Sequence, residues 1–488
     1  MAARPRLANE LWYEIFAFLP PAAIRNLSST DRDFHSIVRP FGFSKYHVVP
    51  HSHTHKPPTA HLERSLQRLD FYSSEKIAPH VHSCVVKVPH WLRVGQQPAE
   101  AGAPHVLMRE FYDRLSLFSF LQRLELSGIQ ITQLGFSGIC ALPALKHLSL
   151  SSVGKQGTIM AGTLTLRVKS LVTIHDFCLG GPLSHVLSPD TLEQLDFSDF
   201  NALAAPGVGP FPHVHTLKVM DDIFISGAEA QIILAKFTAV RSFCVRFNGL
   251  LQEFTPETAA GIFPVLREYA GERENLYLFI KRPTLSYIML NPFILSRSFE
   301  AFMSEFKHAK DMSNVKSIKA TFTVEDFGVV EFARIFTLFP CLTQLYLYLN
   351  PDDVGYDGSF CPEPLTLIDT LANQVSLPKT LQTLSLCWQF NYFNGREVPD
   401  PAKNPASDTK DFCAVRDSIL ACCQNLCYLY LDGYHFSYLW WKGEQVWEET
   451  TRSHEDTERL GDEIFKRRRM LNPDTILARY FTDSKEPK

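Results

Sequence analysis

The feature that most constrains the fold is a short apolar pattern that recurs along most of the chain. Each copy has the form apolar-x-x-apolar-x-apolar, as in Leu121/Leu124/Leu126. The copies begin at Val81, Leu121, Leu145, Leu192, Val214, Val240, Leu285, Val315, Leu342, Leu381 and Leu426. The shorter intervals between copies are roughly 22 to 26 residues, which is typical of repeats that each contribute one strand. The longer intervals after Leu342 and Leu381 indicate insertions.

Each copy predicts one short strand that is followed by a helix. Alternating apolar residues bury one face of a strand, and several segments between copies have helical spacing. These segments are AEAQIILAKF before Thr238, VVEFARIFTLF before Pro340 and DFCAVRDSILACC before Gln424. Proline ends the helical stretch at Phe339-Pro340 and permits the turn into the next strand. The alternative is an ordinary α/β domain with scattered strands.

A different apolar pattern occupies the N-terminus. Its residues recur at intervals of three and four, which places them on one side of a helix, and a second short helix can begin at Pro21. The stripe and the turn that ends it comprise Leu7, Leu11, Ile15, Leu19, Pro20 and Ile24. Three small helices in some forty residues bury little apolar surface, so this stripe is expected to be covered by something else. It could instead be a helical cap on the rest of the protein.

This N-terminal block resembles the F-box. Leu7-Ala8-Asn9-Glu10-Leu11 is similar to the family's opening motif, Leu19-Pro20 to its helix end, and Ser29, Arg32 and Phe34 to its last motif. The resemblance implies that the stripe binds a Skp-type adaptor of cullin–RING ubiquitin ligases. Its binding residues would be Leu7, Leu11, Ile15, Leu19, Pro20 and Ile24.

The repeats resemble the irregular leucine-rich-repeat arrays that follow an F-box in many fungal proteins. The expected fold is α/β, with a short N-terminal three-helix F-box followed by an irregular leucine-rich-repeat-like solenoid with a parallel sheet. Residues 1–45 would form the F-box, 46–79 a His/Pro-rich linker and connecting helix, 80–435 the array, and 436–488 an aromatic cap and charged tail. His51, His53 and His55 alternate in the linker and could hold a metal, but solvated histidines are the preferred interpretation, so no metal site is expected.

The net charge and the composition indicate which classes of partner and which cellular compartment to expect. A net charge of -4 and a pI near 6.5 give no overall attraction to nucleic acid or anionic membranes, so neither is an expected partner. Glu10 and Glu14 interrupt the first apolar stretch, which argues against a secretory signal. The protein is expected inside the cell, in the cytoplasm, the nucleus or both. Eleven cysteines, most of them within apolar runs, favour reduced thiols over disulfides.

Motifs for catalysis are missing from the sequence. There is no GxxxxGK[ST] phosphate loop, no HExxH zinc helix and no GxSxG nucleophile elbow. We therefore expect no catalytic residue, no cofactor and no enzyme activity. The expected function is that of a substrate-recognition adaptor of an SCF-type cullin–RING ubiquitin ligase. The alternatives are a repeat scaffold without ligase function and a hydrolase with a dispersed site.

The expected target-binding surface is the set of loops after the C-terminal strands. Tyrosine and tryptophan contribute much of the energy of protein interfaces, and GYHFSYLWWKGEQVW at 433–447 is rich in both. Several of these aromatic residues could instead seal the end of the array. The expected target-binding residues are Asn350, Asp352, Asp353, Trp388 and Tyr434.

Overall fold

A computed structural model describes most of the chain between residues 11 and 450. The described residues are 11–12, 15, 19, 21–28, 38, 41–50, 59–87, 106–155, 158–174, 180–219, 226–245, 251, 253–290, 299–306, 312–323, 328–350, 364–388, 411–432, 436–442 and 447–450. They belong to two compact units, Met1–Leu266 and Arg267–Lys488. Each unit is an α/β structure in which strands and helices alternate.

The first unit is built around a parallel sheet. Its strands are β1 (Lys45–Val48), β2 (Ser83–Lys87), β3 (Arg123–Ser127), β4 (Gln130–Ile131), β5 (His147–Ser151), β6 (Gly154–Lys155), β7 (Ser170–Ile174), β8 (Gln194–Asp196), β9 (Thr216–Val219) and β10 (Ser242–Val245). Its helices are α1 (Pro21–Ser28), α2 (Thr59–Tyr72), α3 (Val106–Asp113), α4 (Gln133–Cys140), α5 (Gly180–Val186), α6 (Gly227–Leu234) and α7 (Pro256–Ala259). The sheet follows chain order, β1-β2-β3-β5-β7-β8-β9-β10, while β4 and β6 form a separate parallel pair.

The second unit repeats this architecture and ends differently. Its strands are β11 (Glu268–Gly271), β12 (Tyr287–Leu290), β13 (Ser317–Thr323), β14 (Gln344–Asn350), β15 (Thr383–Trp388), β16 (Tyr428–Asp432), β17 (Phe436–Trp441) and β18 (Trp447–Thr450). Its helices are α8 (Phe299–Ser304), α9 (Val329–Leu338), α10 (Pro364–Gln374) and α11 (Phe412–Cys422). Strands β11 to β16 are parallel, and β17 and β18 then pair antiparallel.

One hydrogen-bonding arrangement recurs where the strands begin. The carbonyl of His215, just before β9, accepts the N–H groups of Arg241 and Ser242 at 2.9 and 3.0 Å. The carbonyls that accept two successive N–H groups in this way belong to Ser44, His82, Gln122, Lys146, Lys169, Glu193, His215, Arg267, Ser286, Lys316, Thr343 and Gln382. Because a slip by one residue would turn every side chain to the opposite face, this repeated contact fixes which side chains enter the core.

The eleven predicted strands are confirmed, and the parallel sheet with them. The middle apolar residue of each copy is buried, as Leu124, Leu217 and Leu345 are, each with no solvent-exposed area. The predicted helices before Thr238, Pro340 and Gln424 are also confirmed as α6, α9 and α11. A leucine-rich-repeat-like array, with one parallel strand in each repeat, is therefore the architecture of both units.

Two parallel strands, β7 and β11, escaped the sequence pattern because a small or polar residue fills its last position. In β7 that residue is Thr173, which is buried and whose hydroxyl accepts a hydrogen bond from the Ser198 N–H at 2.7 Å. In β11 it is Gly271. Strand β1 lies in the range 1–79 that was assigned to the F-box and linker, and it pairs in parallel with β2.

Varied side chains link successive turns, although the asparagine that normally closes each leucine-rich repeat is nearly missing from the sequence. Asn314 in the turn before β13 donates to the carbonyls of Arg282 and Leu285 in the preceding turn, at 3.1 and 2.6 Å. The side chains that donate from one turn to the previous one include Lys236, Asn314, Thr380 and Cys423. Chemically different side chains thus donate equivalent hydrogen bonds between turns, so successive repeats stack without a regular sequence motif.

The contact between α3 and α4 generates the first prediction. A Cβ on Gly135 would lie 2.9 Å from the Tyr112 ring, and the Tyr112 hydroxyl is itself fixed by a hydrogen bond to the Gln130 carbonyl. A Cβ on Gly138, in the same helix, would come no closer than 3.5 Å to Leu115. Gly135→Ala should therefore lower the free energy of unfolding by about 1–3 kcal/mol through overpacking.

Gly138→Ala is the matched control. It should leave stability unchanged or raise it by up to about 1 kcal/mol, because alanine is the better helix former. Urea unfolding of the full chain measures both changes. Equal stabilisation by the two substitutions would contradict the packing of α3 against α4.

Candidate functional site

The expected adaptor-binding residues divide into exposed and packed members. Leu11 and Ile15 are exposed, at 48% and 40%. Ile24, in α1, is buried with Val38 in a small apolar cluster. The partly buried residues packed against that cluster are Trp12, Leu19, Leu27 and Phe41. Leu7 and Pro20 lie outside the described residues.

This arrangement gives the N-terminal segment two apolar faces with different environments. Leu11 and Ile15 are both helical and four residues apart, so they lie one turn apart on the same side of a helix. Trp12, next to Leu11 in sequence, packs instead on the cluster of Ile24 and Val38. An apolar pair therefore faces outward beside a small core that holds the segment in place.

The expected target-binding residues are only partly within the described chain. Asn350 is the last residue of β14, and Trp388 is the last residue of β15. Trp388 pairs with Leu349 in the register of these adjacent strands, so the backbones of the two residues end at the same edge of the sheet. Asp352, Asp353 and Tyr434 lie outside the described residues. Tyr438 of β17 is fully buried and stacks on Phe412, with ring centroids 5.6 Å apart.

Sequence reasoning missed a buried polar row on β13. Ser317, Lys319 and Thr321 alternate with the apolar residues of the strand, so they lie on the face opposite the repeat's apolar positions. All three are nevertheless buried. In the strand register Lys319 stands between Met289 of β12 and Tyr346 of β14.

Lys319 is the charged centre of this row. It is only 7% exposed, and its Nζ lies 5.1 Å from the centroid of the Tyr348 ring, within the range of a cation–π interaction. Burial lowers the pKa of Lys319 to about 8, since a protonated amine loses its hydration inside the protein, while the charge interaction with Cys387 opposes that shift. Among the described residues Lys319 has no carboxylate partner in an ion pair.

The surroundings of Lys319 are hydroxyl-rich and aromatic. The hydroxyls of Ser317 and Thr321 are buried without a hydrogen-bond partner in the part of the chain that the structure describes. Cys387 of β15, Tyr430 of β16 and Leu439 of β17 form a buried cluster further along the same sheet. The partly buried rings that pack on this cluster are those of Tyr348 and Tyr428. We call the group of Ser317, Lys319, Thr321 and Tyr348 the lysine site.

The first unit contains a buried lysine with a different environment. Lys218 of β9 stands directly opposite Asp196 of β8 in the register, and both residues are buried. Burial lowers the pKa of Lys218 to about 8, and the charges of Asp196 and Cys244 oppose that shift. Opposite charges directly across a strand pair stabilise a sheet. Lys218 therefore has an acidic neighbour where Lys319 has a tyrosine ring.

Within the described ranges there is no group of three or more His, Cys, Asp or Glu side chains placed to hold a metal ion. His51, His53 and His55 lie outside those ranges. None of the described helices is both long and apolar enough to cross a bilayer.

Comparison with known proteins finds similarity of structure only. No protein family and no curated protein matches the sequence. The leucine-rich-repeat protein LegL7 from Legionella pneumophila is 15% identical, with a TM-score of 0.36, over 68% of this chain and 99% of that chain. An internalin, inlF, from Listeria monocytogenes is 12% identical, with a TM-score of 0.33, over 68% of this chain and 88% of that chain. Values this low support no inference about function, and the fold assignment rests on the strand register.

The lack of an acidic partner for Lys319 in the part of the chain that the structure describes generates the second prediction. At pH 7 the amine is protonated in both the folded and unfolded chains, and the folded state bears the cost of burying the charge. Lys319→Met should therefore raise the free energy of unfolding at pH 7, by up to about 3 kcal/mol on the pKa difference. Between pH 8 and roughly 10.5 the unfolded chain binds more protons, so wild-type stability rises and the advantage of the variant shrinks.

Lys316→Met, at an exposed position just before β13, is the control and should change stability by less than about 0.5 kcal/mol. Lys218→Met gives the contrast, because it removes the cation opposite Asp196 and should lower stability. Urea unfolding between pH 7 and pH 10 measures all three variants. A Lys319→Met variant less stable than wild type at every pH would show that the charge is compensated.

Proposed function

We propose that this protein is a substrate-recognition adaptor of an SCF-type cullin–RING ubiquitin ligase. Its N-terminal segment would dock on a Skp-type adaptor, and its repeat array would bind the target protein. The observation that carries the proposal is the exposure of Leu11 and Ile15 beside the packed cluster of Ile24 and Val38. Exposed apolar side chains that recur on one side of a helix favour a partner that covers them.

The packed members have a separate role in this proposal. Leu19 and Ile24 would hold the segment in shape, while Leu11 and Ile15 would enter the adaptor. The sequence resemblance to the F-box supplies the identity of that partner. A carboxylate introduced at Ile15 would then be buried in the contact without a counter-charge.

The target would bind at the carboxyl edge of the second unit's sheet. Asn350 and Trp388 end adjacent strands there, which supports a shared surface. Asp352, Asp353 and Tyr434 follow the ends of β14 and β16 in sequence and complete the proposed target-binding set. Parallel strands end together at one edge, so residues that are distant in sequence can act as one surface.

The mechanism is a rise in effective concentration. A target held on the array meets the ubiquitin-carrying enzyme within one assembly, which replaces a bimolecular encounter by a nearly intramolecular one. No catalytic group is required of this chain. A repeat scaffold without ligase function would share the array and lack only the adaptor contact, so the N-terminal surface decides between the two.

The third prediction tests that surface. Ile15→Asp should abolish co-purification of the full chain with a Skp-type adaptor, because burying an unpaired carboxylate costs several kcal/mol. Leu134→Asp is the matched control, since Leu134 is 53% exposed on α4 of the array. It should retain the adaptor. Undiminished adaptor recovery with Ile15→Asp would exclude the proposed docking and leave the scaffold function.

The fourth prediction tests the target-binding edge. Single alanine substitutions at Asn350 and Trp388, and at Asp352, Asp353 and Tyr434, should reduce target recovery from cells treated with a proteasome inhibitor. The thermal midpoint should stay unchanged. Gln344→Ala and Thr383→Ala, at the opposite ends of β14 and β15, are the controls and should keep the target. Loss of stability together with loss of target would assign these residues to the core.

A further inference from the structure

Within the described residues, the lysine site lacks the acidic partner that a buried ammonium group normally has. A buried cation is usually paired, because removing its hydration without compensation is costly. Lys218 follows this rule through its position opposite Asp196. Lys319 has no acid in the corresponding positions, since its register neighbours are Met289 and Tyr346.

The neighbouring hydroxyl groups also lack a partner within the described residues. The hydroxyls of Ser317 and Thr321 stand two residues to either side of Lys319 on the same face of β13. Both are buried, and neither forms a hydrogen bond within the described ranges. A buried hydroxyl left without a partner destabilises the folded state, because it has lost its hydrogen bonds to water. Three polar side chains of one strand thus require an acceptor that the described residues do not supply.

The chemistry of the site specifies the acceptor. Ammonium and hydroxyl groups can all donate hydrogen bonds, so the missing group is an acceptor with negative charge. The site carries one positive charge, the ammonium group of Lys319. No arginine or second lysine among the described residues contributes to the electrostatic interactions of that group. Phosphate groups are generally held by several cations or by the fork of arginine, whereas one ammonium matches one carboxylate.

We propose that the lysine site binds a carboxylate group, with the ammonium of Lys319 as its counter-ion and the hydroxyls of Ser317 and Thr321 as hydrogen-bond donors. The Tyr348 ring, with its centroid 5.1 Å from Nζ, forms one side of this site. The carboxylate belongs either to a small organic acid or to an acidic side chain of a bound polypeptide. This inference does not rest on the ligase proposal, because the lysine site includes none of the proposed adaptor-binding or target-binding residues.

Acetylation of Lys319 in the wild-type full chain is the direct test. Titratable groups on the adjacent strands β12 and β14 are Tyr287, Tyr346 and Tyr348, Cys387 lies one strand further on β15, and none of these is a carboxylate. Competitive labelling with acetic anhydride, read by mass spectrometry from pH 6 to 10, gives the midpoint for Lys319. The probes are sodium acetate, sodium succinate and a capped glutamate-containing peptide, with chloride at equal ionic strength as reference.

A bound carboxylate favours the protonated amine, so the Lys319 midpoint should rise from about 8. Each unit of rise lowers the reactive fraction about tenfold below the midpoint. Lys316 should react equally with every salt. Protection by acetate or succinate would identify a small-acid site, and protection by the peptide alone would identify an acidic side chain. An unchanged Lys319 midpoint with all three probes would overturn the proposal.

Variants provide an independent readout. Carboxylate should raise the thermal midpoint of wild type and of Lys316→Met, with no rise for Lys319→Met. Thr321→Val, which removes one hydroxyl and keeps the shape, should weaken the rise. A full carboxylate response in Lys319→Met would contradict the assignment. The acetylation experiment needs no variant, so it decides the question even where a substitution impairs folding.

Discussion

The structure depends on a backbone carbonyl that accepts two N–H groups at the start of neighbouring parallel strands in the main sheet of each unit. This contact repeats from Ser44 to His215 in the first unit and from Arg267 to Gln382 in the second. It sets each strand against its neighbour residue for residue, so that one face of each sheet receives the apolar repeat positions. The residues that alternate with these apolar positions lie on the other face of each sheet, and they include Lys218 and Lys319. Both the core and the polar rows follow from one register.

Features that follow from spacing within one strand could be predicted from the sequence, whereas features that depend on the register between strands could not. Large aliphatic residues at fixed spacing predicted eleven strands, because such residues are buried wherever the period of a strand holds. Thr173 escaped detection, since its hydroxyl finds its partners, the N–H and the hydroxyl of Ser198, twenty-five positions further along the chain. The burial of Lys319 was equally invisible. A lysine between apolar residues normally indicates a solvated face, and only the packed neighbours show otherwise.

The candidate sites show the same division. Helical spacing found the N-terminal stripe, and the structure then distinguished exposed Leu11 and Ile15 from buried Ile24. Spacing alone treats these residues as equivalent. The edge formed by Asn350 and Trp388 could be anticipated because parallel strands end together. The lysine site could not be anticipated from the sequence. What distinguishes it is that the neighbouring strands carry no acid, and the sequence alone does not show which strands are neighbours. A buried ammonium group with no acidic partner among the described residues fits a binding role, since functional sites often keep unfavourable groups.

We propose, as the central claim, that one chain joins two separable surfaces, an adaptor-binding segment and a target-binding array. Hydrogen–deuterium exchange of the full chain, with and without a purified Skp-type adaptor, tests this claim most directly. We expect added protection confined to peptides within residues 1–45, since this segment carries the exposed pair Leu11 and Ile15. Strands β13 to β16 should exchange at unchanged rates. Protection that appeared in those strands and spared the N-terminal segment would contradict the account.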